Sequence, residues 1–132
     1  LYTKKSIHEW YKNTKSNFQK SDFNKIYIDF PRLELIERIN LRSKEMIKNG
    51  AIKEVKNFIK LKVRKDKSVN KAIGINEIKT YLNNEKELEE IIENISIKTR
   101  QYAKRQSTWA RGNMNSWFKL KPNELNNFLK KI

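Results

Sequence analysis

Cysteine is absent from the 132 residues, which excludes disulfides and cysteine-bound metals. His8 is the only histidine, so neither a zinc site nor a histidine-based catalytic apparatus is expected. No apolar run approaches the roughly 18 residues of a membrane-spanning helix. The opening stretch, LYTKKSIHEWYK, turns polar too soon for a signal peptide. A soluble, cytoplasmic chain is the expectation. Carboxylates are also scarce: 15 acidic residues stand against 30 basic ones, for a formal charge of +15 and a pI near 10.0.

That excess of cations points to a polyanionic partner such as nucleic acid or an anionic membrane surface. The chain is also crowded with Lys, Asn and Ile, as an AT-rich coding background would make it. Lysine is therefore a weak witness. Arginine is a stronger one, because such a background turns Arg into Lys wherever Lys serves. The arginines are Arg32, Arg38, Arg42, Arg64, Arg100, Arg105 and Arg111. A planar fork that grips phosphate through paired hydrogen bonds is what Lys cannot supply. Three of them lie in TRQYAKRQSTWARG, Thr99 to Gly112, which holds four cations and no carboxylate.

The pattern along the chain is mostly helical. Ser6 and Glu9 form a capping box for a short helix to Asn13. KIYIDF, residues 25–30, alternates and is rich in strand formers, and Pro31 stops it. A helix then runs to about Asn49, where Gly50 supplies the stop, with Leu35, Ile36, Ile39, Met46 and Ile47 on its buried face. A second spans Ala51 to about Lys65. RKDKSVNK is a basic connector. A third helix covers Ala72 to Leu82, with Gly74 an oddity inside it. The longest runs from Glu85 to about Met114. Residues 117–120 suit a short strand, and Pro122 opens a terminal helix. One central-looking strand among so many helices needs neighbours, which suggests part of a larger α/β protein.

On the longest helix, Leu88, Ile91, Ile92, Ile95, Thr99, Tyr102, Gln106 and Trp109 share one stripe. Tyr102 and Trp109 are therefore expected in the core. Arg100, Lys104 and Arg111 form a row on another side, with Ser107 among them. Lys98 and Arg105 form a second row. Glu85, Glu87, Glu89, Glu90 and Glu93 sit at the helix start, where they complement its dipole, as the cations do at its end. Periodicity leaves two readings open. One is a solvated, dipole-matched helix end. The other is a phosphate-tracking surface with Gln101, Gln106, Ser107 and Thr108 as further donors.

TRQYAKRQSTWAR resembles the C-terminal signature TRxxAKRQxTWxR of the tRNA dimethylallyltransferase (isopentenyltransferase) family, matching at Thr99, Arg100, Ala103, Lys104, Arg105, Gln106, Thr108, Trp109 and Arg111. KAIGINEIKTYL is similar to that family's AIGYxE…YL segment, matching at Ala72, Ile73, Gly74, Glu77, Tyr81 and Leu82. LIERINLRSKEMIKNGAIKEV is similar to its LxxRIxxRxxxMxxxGxxxEV segment, at Leu35, Arg38, Ile39, Arg42, Met46, Gly50, Glu54 and Val55. YTKKSIHEW is similar to a TGKS-like helix entry upstream. Ile75, Lys4 and Ala110 depart from the family pattern. Nothing resembles its phosphate-binding loop GxxxxGKT or the Asp-Ser segment of its proposed base.

The resemblance implies an α/β fold: a P-loop NTPase-like, ATP-type nucleotide-binding core with a helical tRNA-binding part. Residues 1–132 would be the C-terminal fragment, comprising the end of a helical insertion, one core strand and tRNA-binding helices, with the P-loop half absent. This fragment is mostly α, with short strands at about 25–30 and 117–120. The implied reaction moves a dimethylallyl group from its diphosphate to the exocyclic N6 amine of adenosine 37, beside the tRNA anticodon. Arg42 matches an arginine that contacts the diphosphate, and Arg38 would support it, unless the pair merely binds nearby glutamates. Thr99, Arg100, Gln101, Lys104, Arg105, Gln106 and Arg111 would hold the anticodon stem-loop. Lys67 and Lys71 belong to another tRNA-contacting segment. Magnesium would serve the full enzyme without being bound by this fragment alone. The partners implied are tRNA and dimethylallyl diphosphate, with no membrane and a monomeric state. A non-catalytic basic helical RNA-binding module is the alternative.

Overall fold

The structure is a computed structural model and describes residues 6–131. Its helices are α1 (Ile7–Asn13), α2 (Arg32–Lys48), α3 (Ala51–Lys60), α4 (Ile75–Leu82), α5 (Leu88–Asn113) and α6 (Leu125–Leu129). The strands are β1 (Ile26–Ile28) and β2 (Phe118–Leu120), and short 3-10 turns occupy Lys20–Asp22, Ser68–Lys71 and Pro122–Glu124. The mostly α expectation holds, as do both strand positions. The TGKS-like entry and Lys4 begin outside the described residues.

Ser6 caps α1 as its sequence predicts, with its hydroxyl accepting from Glu9 N–H at 3.3 Å and Glu9 accepting from Ser6 N–H at 2.8 Å. β1 and β2 run parallel, Ile26 opposite Phe118 and Ile28 opposite Leu120, and each keeps one edge unpaired within this two-stranded sheet. A parallel pair needs a long crossover. Here the crossover is the whole run from α2 to α5.

The core lies inside that crossover. Ile47, Ala51, Val55, Ile78, Ile91 and Ile95 meet there, with Met46, Ile52 and Tyr81 packed around them. Burying each isoleucine contributes roughly 1.5–3 kcal/mol. The apolar stripe of α5 is therefore covered only along its first half. Tyr102 and Trp109, expected in the core, lie on the same stripe beyond that cover and are 49% and 59% exposed. Periodicity gave the correct stripe, but α3 and α4 are too short to reach its end.

Three helix boundaries also differ from the sequence pattern: α5 begins at Leu88 rather than Glu85, with Glu87 as its N-cap. α3 stops at Lys60, because Lys62 turns to φ +48° and closes the helix early. Gly74 is not inside α4 but immediately before it, at φ +105°. That conformation suits glycine and strains any residue with a Cβ. A Cβ there would lie 3.5 Å from Met46 Cε, an ordinary contact, so the backbone rather than crowding sets the cost. Gly74→Ala is expected to destabilise the protein by about 1–3 kcal/mol, read as a lower thermal midpoint. An unchanged midpoint would mean the turn relaxes to negative φ.

Candidate nucleic-acid interface

The second half of α5 stands beside β1 and the start of α2, and a cleft of about 610 Å³ opens between them. Arg100, Gln101, Lys104, Ser107 and Arg111 line it from α5. This is the row that the 100° periodicity places on one side of the helix. From the opposite wall come Tyr27, Asp29 and Arg32, and from β2 Lys119. Apolar residues Phe30, Leu35, Ile36, Ile39, Ile97 and Ala103 form the rest of the lining.

The cations of the cleft are held to different degrees. Arg100 is half-buried and fixed, donating to Asn40 Oδ1 at 3.0 Å and to Glu93 Oε1 at 2.7 Å. Arg111 donates only to the Ser107 carbonyl, at 3.3 Å. Lys104, Arg32 and Lys119 make no ion pair among the described residues. Of the five cations lining the cleft, Arg100 is paired with Glu93, and Asp29 is the one carboxylate in the lining. Repulsion among the other four is relieved when an anion enters.

Arg32 and Lys119 were not singled out by sequence reasoning. Arg32 carried a signal nonetheless. It is an arginine in a lysine-rich chain, and it sits in the first turn of α2, where the helix dipole disfavours a cation. Lys119 had none, because its place depends on the register of β2 against β1.

The other predicted residues lie outside this lining, two of them in an adjoining groove that shares Tyr27, Asp29 and Ser107 with it. Arg105 and Gln106 line a second groove of about 550 Å³ with Trp109, Met114 and Ile28, and the Arg105 guanidinium stands 5.8 Å from the Tyr102 ring centroid. Thr99 donates its hydroxyl to the Ile95 carbonyl at 2.7 Å. Lys67 and Lys71 are exposed on the connector, whose turn is tied by Asn70 donating to the Arg64 carbonyl at 2.8 Å. Arg38 is bound to Glu34 at 2.8 Å and lies 5.1 Å over the Phe30 ring, so the surface ion pair applies to it. Such exposed pairs are weak, about 0.2–1 kcal/mol. Arg42, one turn further along α2, is exposed and has no such partner among the described residues.

Between the connector and α5 lies Glu77, only 6% exposed. Its Oε2 accepts from Gly74 N–H at 2.8 Å, and its Oε1 pairs with the Lys98 ammonium. Burial alone would raise its pKa. The hydrogen bonds from Lys98 and backbone N–H groups, with the Lys98 charge, outweigh that and hold it below the ordinary glutamate value. A depressed carboxylate pKa contributes stability above the unfolded-state value, and that contribution is lost as pH falls through the folded one. Among the described residues no three His, Asp or Glu side chains cluster as metal ligands. No helix among them is long and apolar enough to cross a membrane.

The sequence profile described as IPP transferase matches residues 1–113. The chain belongs to the IPP transferase family. A tRNA dimethylallyltransferase of Pelagibacter ubique is 56% identical over 131 residues, covering 99% of this chain and 42% of that protein. One from Wolbachia pipientis is 43% identical, covering 81% of this chain and 36% of its own length. The full-length tRNA isopentenylpyrophosphate transferase of Bacillus halodurans superposes with a TM-score of 0.68 at 32% identity, covering 94% of this chain and 42% of that one. This family member thus spans less than half the length of those relatives.

Proposed function

We propose that this chain is the C-terminal part of a longer tRNA dimethylallyltransferase, and that it holds the tRNA anticodon arm and the departing diphosphate. The observation that carries the reading is the cleft, where Arg32, Lys104 and Lys119 face solvent with no acidic partner among the described residues, and Arg100 is held by Asn40 and Glu93. A row of cations on a rigid helix, with glutamine and serine between them, suits the phosphates of a folded RNA strand. Lys67 and Lys71 on the connector would take phosphates on a second stretch of backbone.

In the proposed reaction the N6 amine of adenosine attacks the first carbon of the dimethylallyl group. The N–C bond forms, the C–O bond to diphosphate breaks, and the amine loses a proton. That amine is a poor nucleophile, because its lone pair is delocalised into the ring. A base and stabilisation of the leaving diphosphate are both required. The base is assigned to the part of the protein beyond this chain. Arg42 is assigned to the diphosphate, since its free guanidinium offers two parallel donors. Turning the base out of its stack costs a few kcal/mol, which binding along the cleft offsets. The protein is read as a cytoplasmic monomer, with magnesium bound outside this chain.

The test is to incubate the longer protein with an unmodified anticodon stem-loop and dimethylallyl diphosphate, and to look for prenylated adenosine by mass. Transfer is expected from the longer protein and none from residues 1–132 alone. Binding without transfer by the longer protein would leave the RNA-binding module as the function. Arg42→Ala in the longer protein is expected to lower kcat/KM about a hundredfold, the usual scale for one donor at a developing anion. A loss below threefold would remove Arg42 from that role.

A further inference from the structure

Glu77 has no place in the chemistry described above, yet it is a buried charge with both oxygens engaged. Each oxygen reaches a different element. Oε2 accepts from Gly74 N–H, where the connector carrying Lys67 and Lys71 ends. Oε1 pairs with Lys98 of α5, the residue before Thr99 and Arg100. Gly74 itself lies against Met46 of α2, one turn beyond Arg42. Two segments distant in sequence, the end of the connector and α5, therefore meet at one carboxylate, with α2 packed beside the Gly74 turn.

A helix cap alone does not require this arrangement. Helices are commonly capped by a surface serine or aspartate that accepts from the N–H groups two or three residues on, with no charge buried. Burying a glutamate against a lysine on another helix costs desolvation and adds little net stability. What the pair does supply is a fixed distance. The ion pair ties the first turn of α4, and with it the Gly74 turn, to α5. Arg100, two residues beyond Lys98, is held independently to α2 through Asn40, so α5 is a firm reference for the connector.

We propose that Glu77 is a positioning residue that sets the spacing between the connector and the basic half of α5, and through it the enzyme's affinity for tRNA. This rests on the reading that both segments hold tRNA. Glu77 touches no substrate. Glu77→Gln keeps an acceptor for Gly74 N–H and the volume of the side chain, but loses the ion pair. Lys98→Met breaks the same pair from a half-exposed position.

The experiment uses the longer protein and measures KM for an anticodon stem-loop, KM for dimethylallyl diphosphate and kcat, with the thermal midpoint of each variant. Each single variant is expected to raise the KM for RNA roughly tenfold, as misplacement of a contacting segment does, with kcat and the diphosphate KM unchanged. The double variant is expected to be no worse than either single, because both remove one interaction. Lys98→Arg, which restores a cation, is expected to bind RNA normally. A lowered midpoint with an unchanged KM for RNA in both single variants would make the pair merely structural and overturn the proposal. So would effects that add in the double variant. Failure of the wild-type protein to bind the stem-loop would instead overturn the reading on which the proposal stands.

Discussion

Replacing Lys104 and Arg111 together by glutamine in the longer protein is expected to weaken tRNA binding about a hundredfold. Each would lose one charge-assisted hydrogen bond to phosphate, worth roughly 1.5 kcal/mol, and about 3 kcal/mol is two decades of affinity. The fold should not suffer. Among the described residues Lys104 has no acidic partner, and the one hydrogen bond of the Arg111 side chain is to a carbonyl of its own helix. Arg100 is a poorer choice, because its removal also breaks the link to Asn40 that ties α5 to α2. Binding measured across a salt series gives a second readout. The slope of log affinity on log salt is expected to shrink by roughly 1.5 when two phosphate contacts are lost. An unchanged slope with weaker binding would mean that these residues act on RNA shape rather than on its charge. An unchanged affinity would remove the cleft from the interface.

The second large effect belongs to the core. Ile91→Ala is expected to cost about 3–4 kcal/mol in a denaturant titration, within the range for truncating a buried branched side chain. Ile91 is 0% exposed and sits where α5 meets the residues contributed by α2, α3 and α4. Ile97→Ala is the control. That residue faces the cleft, is 37% exposed, and should cost under about 1 kcal/mol. Equal losses at the two positions would mean that the cleft is closed in solution by something that covers Ile97.

What could be read from the sequence follows from how local each signal is. The capping box of Ser6 and Glu9, the stop at Gly50 and the row Arg100, Lys104, Arg111 each depend on neighbours within a turn or two, and all three stand in the structure. The exposure of Trp109 depends on where α3 and α4 end, which α5's own periodicity cannot report. Gly74 falls inside a helix in the sequence pattern because the apolar spacing continues through it from Ala72. Its positive φ is evident only once the connector is seen to turn there. Arg32 and Lys119 enter the cleft through strand pairing and helix placement, and no spacing rule joins them to α5. The pair of Glu77 with Lys98 is equally long-range, and nothing in either segment announces it.

The parallel pairing of β1 with β2 has a consequence in time. The helices between the strands combine contacts close in sequence, such as α3 with α4, which form quickly, with the distant packing of α2 on α5. The two strands stand on either side of that entire run, so their ladder is a distant closure that must await it. During synthesis Ile26–Ile28 leaves the ribosome long before Phe118–Leu120 exists, and until then its partner on that edge is water. The cleft has β1 on one wall and Lys119 on another, so it takes shape only with that last closure. The cations of α5 are therefore set along their helix early, but face a finished binding surface only when the final strand arrives.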